Sequence, residues 1–438
     1  MNIDVINAIK IILFVLLLLC LFFWKVTIGS AEHSTAESYP EVDLAHYGSL
    51  EPDSIQKTFQ RAVSDLNGKK LVVPARKIFL GKLDITGKNH FEIEFLPGGE
   101  VNCEQFRLID CQYFAFHGMN LKGTREKFAV FDIIGNSYGF SIYDCKFDSE
   151  KDKDGQNTFY GIHVRANWNM ADRKYEKSPR AFKIYNNYIR NTKYDGILVH
   201  AHCSDFVIEN NVVEDAKCIG IEVEGRYGGW KNTTVHPCKN AIIRNNTLNR
   251  CGDWGILLMW VDSVKVYDNV SKKAVGAFLS VGCSNMEVKR NVFEGSRKGF
   301  EISQEFYKID NGINRNVVVE DNVIVGIPRE INRGAIDIRH AQNITVKNNK
   351  VECLFKPNAA CISVASSRDV VVSDNTFTAK SGMPYRTMLD EAADPETGKE
   401  TESLSIENID LRRNAYSGIK DDHAIKVSQI QNKNCYVK

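Results

Sequence analysis

The feature that most constrains this chain is an asparagine that returns in fixed company at Asn187, Asn211, Asn246, Asn269, Asn291, Asn322, Asn349 and Asn375. The intervals are 24, 35, 23, 22, 31, 27 and 26 residues, which is one unit of 22–24 residues plus insertions. Three residues before each asparagine stands Ile184, Ile208, Ile243, Val266, Val288, Val319, Val346 or Val372, β-branched every time. Two residues after it the chain is apolar in seven of eight units, Ser271 being the exception. Upstream lies a Gly-Ile-x-Val phrase, as in Gly196-Ile197-Leu198-Val199 and Gly220-Ile221-Glu222-Val223. Short apolar runs repeated at this period belong to a solenoid, whose units bury side chains only by stacking on their neighbours.

Each unit holds three short alternating runs rich in Val, Ile and Phe, separated by Asn, Asp and Gly. Leucine-rich repeats share the period but need regular leucines, and these are missing. Three strands and three turns fit a coil of about 22 residues. The repeated asparagine is expected to adopt a left-handed backbone and to bond through its amide to the same residue one coil away. This pattern resembles the pectate-lyase-like superfamily, and the resemblance implies an all-β, single-stranded right-handed parallel β-helix with three short strands per coil over residues 71–418. Ahead of it, residues 53–70 contain Ile55, Phe59, Ala62, Val63 and Leu66 on one helical stripe, with Asp53 or Ser54 as N-cap. In the superfamily such a helix plugs the open first coil. Weaker coils follow through Phe116, Leu121 and Cys145, the last standing in the asparagine place.

Residues 1–31 contain an unbroken apolar run from Ile11 to Trp24 between Lys10 and Lys25. They read either as a cleaved signal peptide or as an anchor through residues 8–28, and both place the remainder outside the cytoplasm: secreted, periplasmic or membrane-anchored. Residues 32–52 form a polar tether, and 419–438 a C-terminal tail. Lys and Arg number 56 against 55 Asp and Glu, a net charge of +1, which argues against a general nucleic-acid binder. The twelve cysteines include no C-x-x-C pair, so zinc-ribbon and thioredoxin-type sites are unsupported. Cys203 and Cys283 each lie seven residues after a repeat glycine, in expected inward positions.

Insertions leave one corner directly after the Gly-Ile-x-Val strand in three coils, at residues 167–180, 225–239 and 303–316. Others, at 326–334 and 379–403, fall before that strand. Loops on both flanks make the sheet between them a groove floor. With Ile and Val pointing inward, the glycine and the two x positions are expected to face out. The outward set then gathers Arg165, His200, His202, Glu222, Glu224 and Arg226 in one cluster, and Glu301, Asp337, Arg339 and His340 in another. Between them run Leu257, Met259, Trp260 and Phe278, with Trp254 and Trp230 nearby. Charged ends around an aromatic strip suit an acidic polysaccharide. The competing reading is cross-coil salt bridging, which stacked strands also favour.

The superfamily offers several chemistries. β-Elimination needs a neutralised uronate carboxylate and a base. Here Arg226 and Arg339 are the neutralisers, His200 is the base, and Glu222 with Glu224 are calcium ligands if calcium is used. Gly334–Asn349 is similar to the Arg-His coil of chondroitinase-B-like and alginate lyases, although their carboxylates and lysine before that coil are replaced here by Glu301-x-Ser303-x-Glu305. Asp195-Gly196-Ile197 is similar to the Asp-Gly-Ile of polygalacturonase-like hydrolases, without their paired aspartates in the next coil or a Gly-His-Gly. The Asp-Pro-His expected of an alginate-type epimerase is absent. The sequence therefore predicts a carbohydrate-active protein with a polysaccharide partner. β-Elimination ranks first, hydrolysis or epimerisation second, and a non-catalytic glycan-binding or structural solenoid third.

Overall fold

The computed structural model describes residues 39–123, 131–148, 161–169, 174–225, 236–303, 312–326, 334–354, 360–381, 385–390, 407–417, 424–426 and 435–436. The apolar leader lies outside them, as do Arg226 and Trp230. Among the described residues no helix is long and apolar enough to cross a membrane. The chain divides into Met1–Pro40 and Glu41–Lys438, and the second unit carries the solenoid.

Every coil-to-coil pairing in that unit is parallel, and each strand pairs with its equivalent one coil on. Three ladders result. One runs from Glu41–Asp43 through Phe-rich strands such as Arg180–Tyr185 to Cys435–Tyr436. A second contains Ile162–Arg165, Ile197–His200, Ile221–Glu224 and Trp254–Met259. The third contains Tyr188–Arg190, Val212–Glu214 and Thr247–Asn249. Longer strands, Val270–Val281 and Val292–Ile302, run round the corner and join the last two ladders. This is the expected right-handed parallel β-helix.

The interior is filled by like side chains on like. Phe91, Phe114, Phe140, Phe182 and Phe206 form one column with ring centroids 4.9–5.1 Å apart and nearly parallel planes, the spacing that adjacent strands impose. The helix Ile55–Ser64 buries the expected stripe, Ile55, Phe59, Ala62 and Val63, with Leu66 just beyond it. Gln56 holds it over the first coil, donating to Lys82 O (2.9 Å) and accepting from Gly81 N (3.1 Å). Eight of the nine cysteines whose side chains are described are buried, these nine are free thiols, and burial pushes Cys103 up to about 12.

The asparagines form the expected ladder. Asn269 Nδ2 donates to Asn291 Oδ1 (3.0 Å), and Asn269 Oδ1 accepts from the Nδ2 (2.9 Å) and backbone N (3.0 Å) of Asn246. The same amide also donates to Ile243 O (2.9 Å) and Tyr267 O (3.1 Å). Cys145 occupies the next place, its backbone N donating to Asn187 Oδ1, and Asn414 extends the row beyond Asn375. One expectation is corrected. The left-handed residue is not the ladder asparagine but the one before it: Asn186, Asn210, Asn245, Asp268, Arg290, Asp321, Asn348 and Asp374. The turn is made first, and the next side chain is thereby aimed inward. Because the ladder amides are fully engaged and buried, Asn269→Ala strands several polar groups in the core. It is expected to cost about 3 kcal/mol in reversible denaturation; a loss below about 0.5 kcal/mol would show the ladder to be passive.

Candidate functional site

The wall made by Phe131–Ile134, Ile162–Arg165, Ile197–His200, Ile221–Glu224 and Trp254–Met259 carries two outward rows. Register aligns Asp132, His163, Leu198, Glu222 and Leu257 in one, and Ile134, Arg165, His200, Glu224 and Met259 in the other. Of the first predicted cluster, the wall therefore brings together Arg165, His200, Glu222 and Glu224. His202 sits beyond the corner, exposed, with its ring 5.5 Å from that of His236.

The side chains of this cluster are wired together. Arg165 donates to both oxygens of Asp132, from Nε at 3.1 Å and Nη2 at 3.0 Å. His163 lies with Nδ1 3.6 Å from Asp132 and Nε2 3.2 Å from His200 Nδ1. His200 Nε2 is 2.6 Å from Glu224 Oε2. Exposure rises along this chain, from 4 % at the Asp132 side chain through 9 % and 14 % to 20 % at Glu224, so Glu224 is its open end. Burial holds His163 well below the usual histidine range, with the His200 and Arg165 charges adding to the effect, so His163 is neutral. His163 Nε2 and His200 Nδ1 share one hydrogen bond whose donor is set by the tautomers of the two rings, and His200 Nε2 faces Glu224 Oε2. Burial pushes the Asp132 carboxyl up while the Arg165 guanidinium pulls it back.

Beside this chain lies a carboxyl pair. Asp195 precedes the strand Ile197–His200 and accepts from Ile219 N at 3.0 Å. Its other partner is the side chain of Glu222, and both are almost wholly buried. Burial raises Asp195 to about 6. Burial, then the charges of Asp195 and Glu224, drive Glu222 well above the usual carboxylate range, and its side chain is a hydrogen-bond partner of Asp195. Glu222 and Glu224 are two residues apart on one strand face, about 6.6 Å at the backbone.

The second cluster forms three coils away, about 14 Å along the axis. Glu301 pairs with Asp337 in register, and Asp337 accepts from Arg339 Nε (2.9 and 3.0 Å) and from Ser363 Oγ in a short contact. Arg339 is thus already held by its own strand. His340, at φ 47°, turns the corner.

The strip between the clusters differs from expectation. Phe278 aligns with Ile256 and Phe300 and is buried in the interior, while Leu279 and Val281 take the outward places. The glycine misled: a Cβ on Gly276 would lie 2.2 Å from the Trp254 ring, so Gly276 makes room for the indole and Ala277 stands in the repeat-glycine place. Repeat glycines do not face out either. A Cβ on Gly196 would lie 2.4 Å from Val213 Cγ1 in the core. Trp254 and Trp260 pack with Leu257, Met259, Leu279 and Val281 and are 1 % and 3 % exposed, so they form an apolar cluster rather than an open stacking floor. Of the predicted rim loops, Asn167–Asn169 and Lys174–Lys177 are seen as an antiparallel hairpin. Asp132 and Asp195 were not among the predicted site residues. Asp132 stands in a coil without the glycine phrase, whereas Asp195 was signalled by Asp-Gly-Ile.

Glu222 and Glu224 are two carboxylates on one strand face, of which Glu224 is engaged by His200. Among the described residues the group whose ligand atoms converge within 4.8 Å is Glu92, Glu94 and His117, on another face, where Lys70 Nζ lies 3.4 Å from Glu92 and 2.8 Å from Glu94.

Residues 232–351 match the family described as "Right handed beta helix region". The mannuronan C-5 epimerase AlgE6 A-module of Azotobacter vinelandii superposes with a TM-score of 0.54 at 11% identity, covering 88% of this chain and 100% of that one. PfbA, a surface adhesin of Streptococcus pneumoniae, superposes with a TM-score of 0.53 at 12% identity, covering 90% and 96%. Among curated proteins no sequence match is found. The chain is a right-handed parallel β-helix protein, as the resemblance to the pectate-lyase-like superfamily implies.

A protonated buried carboxyl leaves a mark on stability. Because Glu222 and Asp195 have folded-state values above their unfolded ones, the folded state binds more protons. Stability is then greatest below the ordinary carboxylate range, about pH 4, and falls as pH rises through 6 and beyond. Glu222→Gln is expected to flatten that decline, so thermal denaturation at pH 5 and pH 8 should differ less in the variant than in the native protein. An equal slope in both would show Glu222 to be ionised throughout.

Proposed function

We propose that the protein acts on an acidic polysaccharide by β-elimination, with Glu224 and His200 as the base and Glu222 as the acid. The single supporting observation is the juxtaposition of an open His200–Glu224 pair with the buried Glu222 carboxyl on the same strand, which burial drives well above the usual carboxylate range. The base takes the proton beside the uronate carboxylate. The released electron pair forms the ring double bond and expels the glycosidic oxygen, which receives a proton from the acid. Asp132 and His163 orient His200 from behind, and Arg165 is committed to Asp132. A mannuronan epimerase and an adhesin on the same scaffold are compatible with a glycan partner. Export rests on the leader sequence alone.

Hydrolysis is a second reading, favoured by the two carboxyl groups of Glu222 and Glu224 on one strand face, since hydrolysis uses such a pair. Products separate the two. Uronate polymers incubated with the protein are expected to yield the ultraviolet absorbance of an unsaturated product, unchanged by a chelator. Glu224→Gln and Glu222→Gln should each lower that rate by about 10²–10⁴. Reducing ends without absorbance would replace elimination by hydrolysis, and full activity in both variants would remove the site from this wall.

A further inference from the structure

Several arginines among the described residues are locked to carboxylates one coil away, among them Arg107 to Asp84, Arg165 to Asp132, Arg250 to Asp215 and Arg290 to Asp268. One row breaks the rule. At the corner that follows the wall, register carries a single position from Arg180 through Lys239 and Arg315 to Arg368. Successive cations are two, three and two coils apart, about 10, 14 and 10 Å. The residues between them are Ser204, Asp262, Ser284 and Gln342, so one carboxylate interrupts the row.

None of the four cations makes an ion pair with a carboxylate among the described residues. Arg180 donates to the neutral Asn136 Oδ1 (2.8 Å) and lies over the Tyr138 ring, and Arg368 donates to the neutral Gln342 Oε1 (2.8 Å). Asp262 is engaged by Ser284 Oγ and Asn285 Nδ2, each at 2.8 Å. Arg180, Lys239 and Arg315 are exposed. Midway along the row, Lys239 and Arg315 stand on either side of an open groove of about 320 Å³ with Asp262 and Ser284 in its lining. The groove adjoins the catalytic wall, since Trp260 at its edge packs against Gly225, the residue after Glu224.

A row of cations without an ion-paired carboxylate among the described residues, parallel to the helix axis, matches one kind of partner, an extended polymer with anionic groups at intervals. We propose that this edge is a second binding track for an acidic polysaccharide, holding a chain along the coils while the wall acts on one of its units. The inference rests on the glycan reading of the wall but uses none of its residues.

The test compares the native protein with Lys239→Ala/Arg315→Ala. Binding is measured to polygalacturonate, heparin, uncharged dextran, a single-stranded DNA oligomer and a galacturonate hexamer, at two salt concentrations. Expected is at least tenfold weaker, less salt-dependent binding of one or both acidic polysaccharides by the variant. Dextran should not bind, DNA should bind more weakly than the polysaccharide, and hexamer turnover should be unchanged. Preference for polygalacturonate or for heparin identifies carboxylate or sulfate as the group read. Equal polymer affinity in both proteins, no polysaccharide binding at all, or DNA bound as tightly as either polysaccharide overturns the track. Polymer binding without turnover removes the wall's proposed activity and leaves the track standing.

Discussion

Parallel hydrogen bonding between coils is the interaction on which the rest of this structure depends. It fixes adjacent backbones about 4.8 Å apart and in register, so each side chain meets its equivalent one coil on. Residues must then suit their own kind as neighbours. Phenylalanines do so by stacking, as from Phe91 to Phe206. Asparagines do so because each amide has both a donor and an acceptor, and the ladder from Asn187 to Asn414 leaves neither unused.

The same constraint creates the chemistry on the wall. Charged groups held at coil spacing in a poorly hydrated place cannot all ionise. Where signs alternate, as in Asp84–Arg107 and Asp132–Arg165, the solution is an ion pair. Where Asp195, Glu222 and Glu224 gather, Glu222 is driven well above the usual carboxylate range. Of the two competing readings of the wall, salt bridging is realised where Asp132 holds Arg165, and catalysis is the proposal for the other end. Asp132 and Arg165 form the structural end, and Glu224 the open end.

Much of this was legible in the sequence. Asparagine spacing and the β-branched residue three places earlier were enough for coil length, strand count and the inward set, because burial and ladder bonding leave little freedom there. The Arg165, His200, Glu224 alignment followed from the same periodicity. What was not legible depends on neighbours rather than on period. Gly276 resembles a repeat glycine but exists to accommodate Trp254, which displaced Phe278 from the outward row to the core. Asp132 lies in a coil whose phrase is eroded. Arg339 looked available until Asp337, two residues earlier on its own strand, was seen to hold it.

The central claim is that stacking brings Asp195, Glu222 and Glu224 so close that Glu222 gives up its proton only well above the usual carboxylate range. Infrared difference spectroscopy through a pH titration reads this directly, since a protonated carboxyl has its own carbonyl band. A band that persists at pH 7 in the native protein and disappears in Glu222→Gln is the predicted result. Complete loss of protonated carboxyl by pH 5 in the native protein would contradict the account.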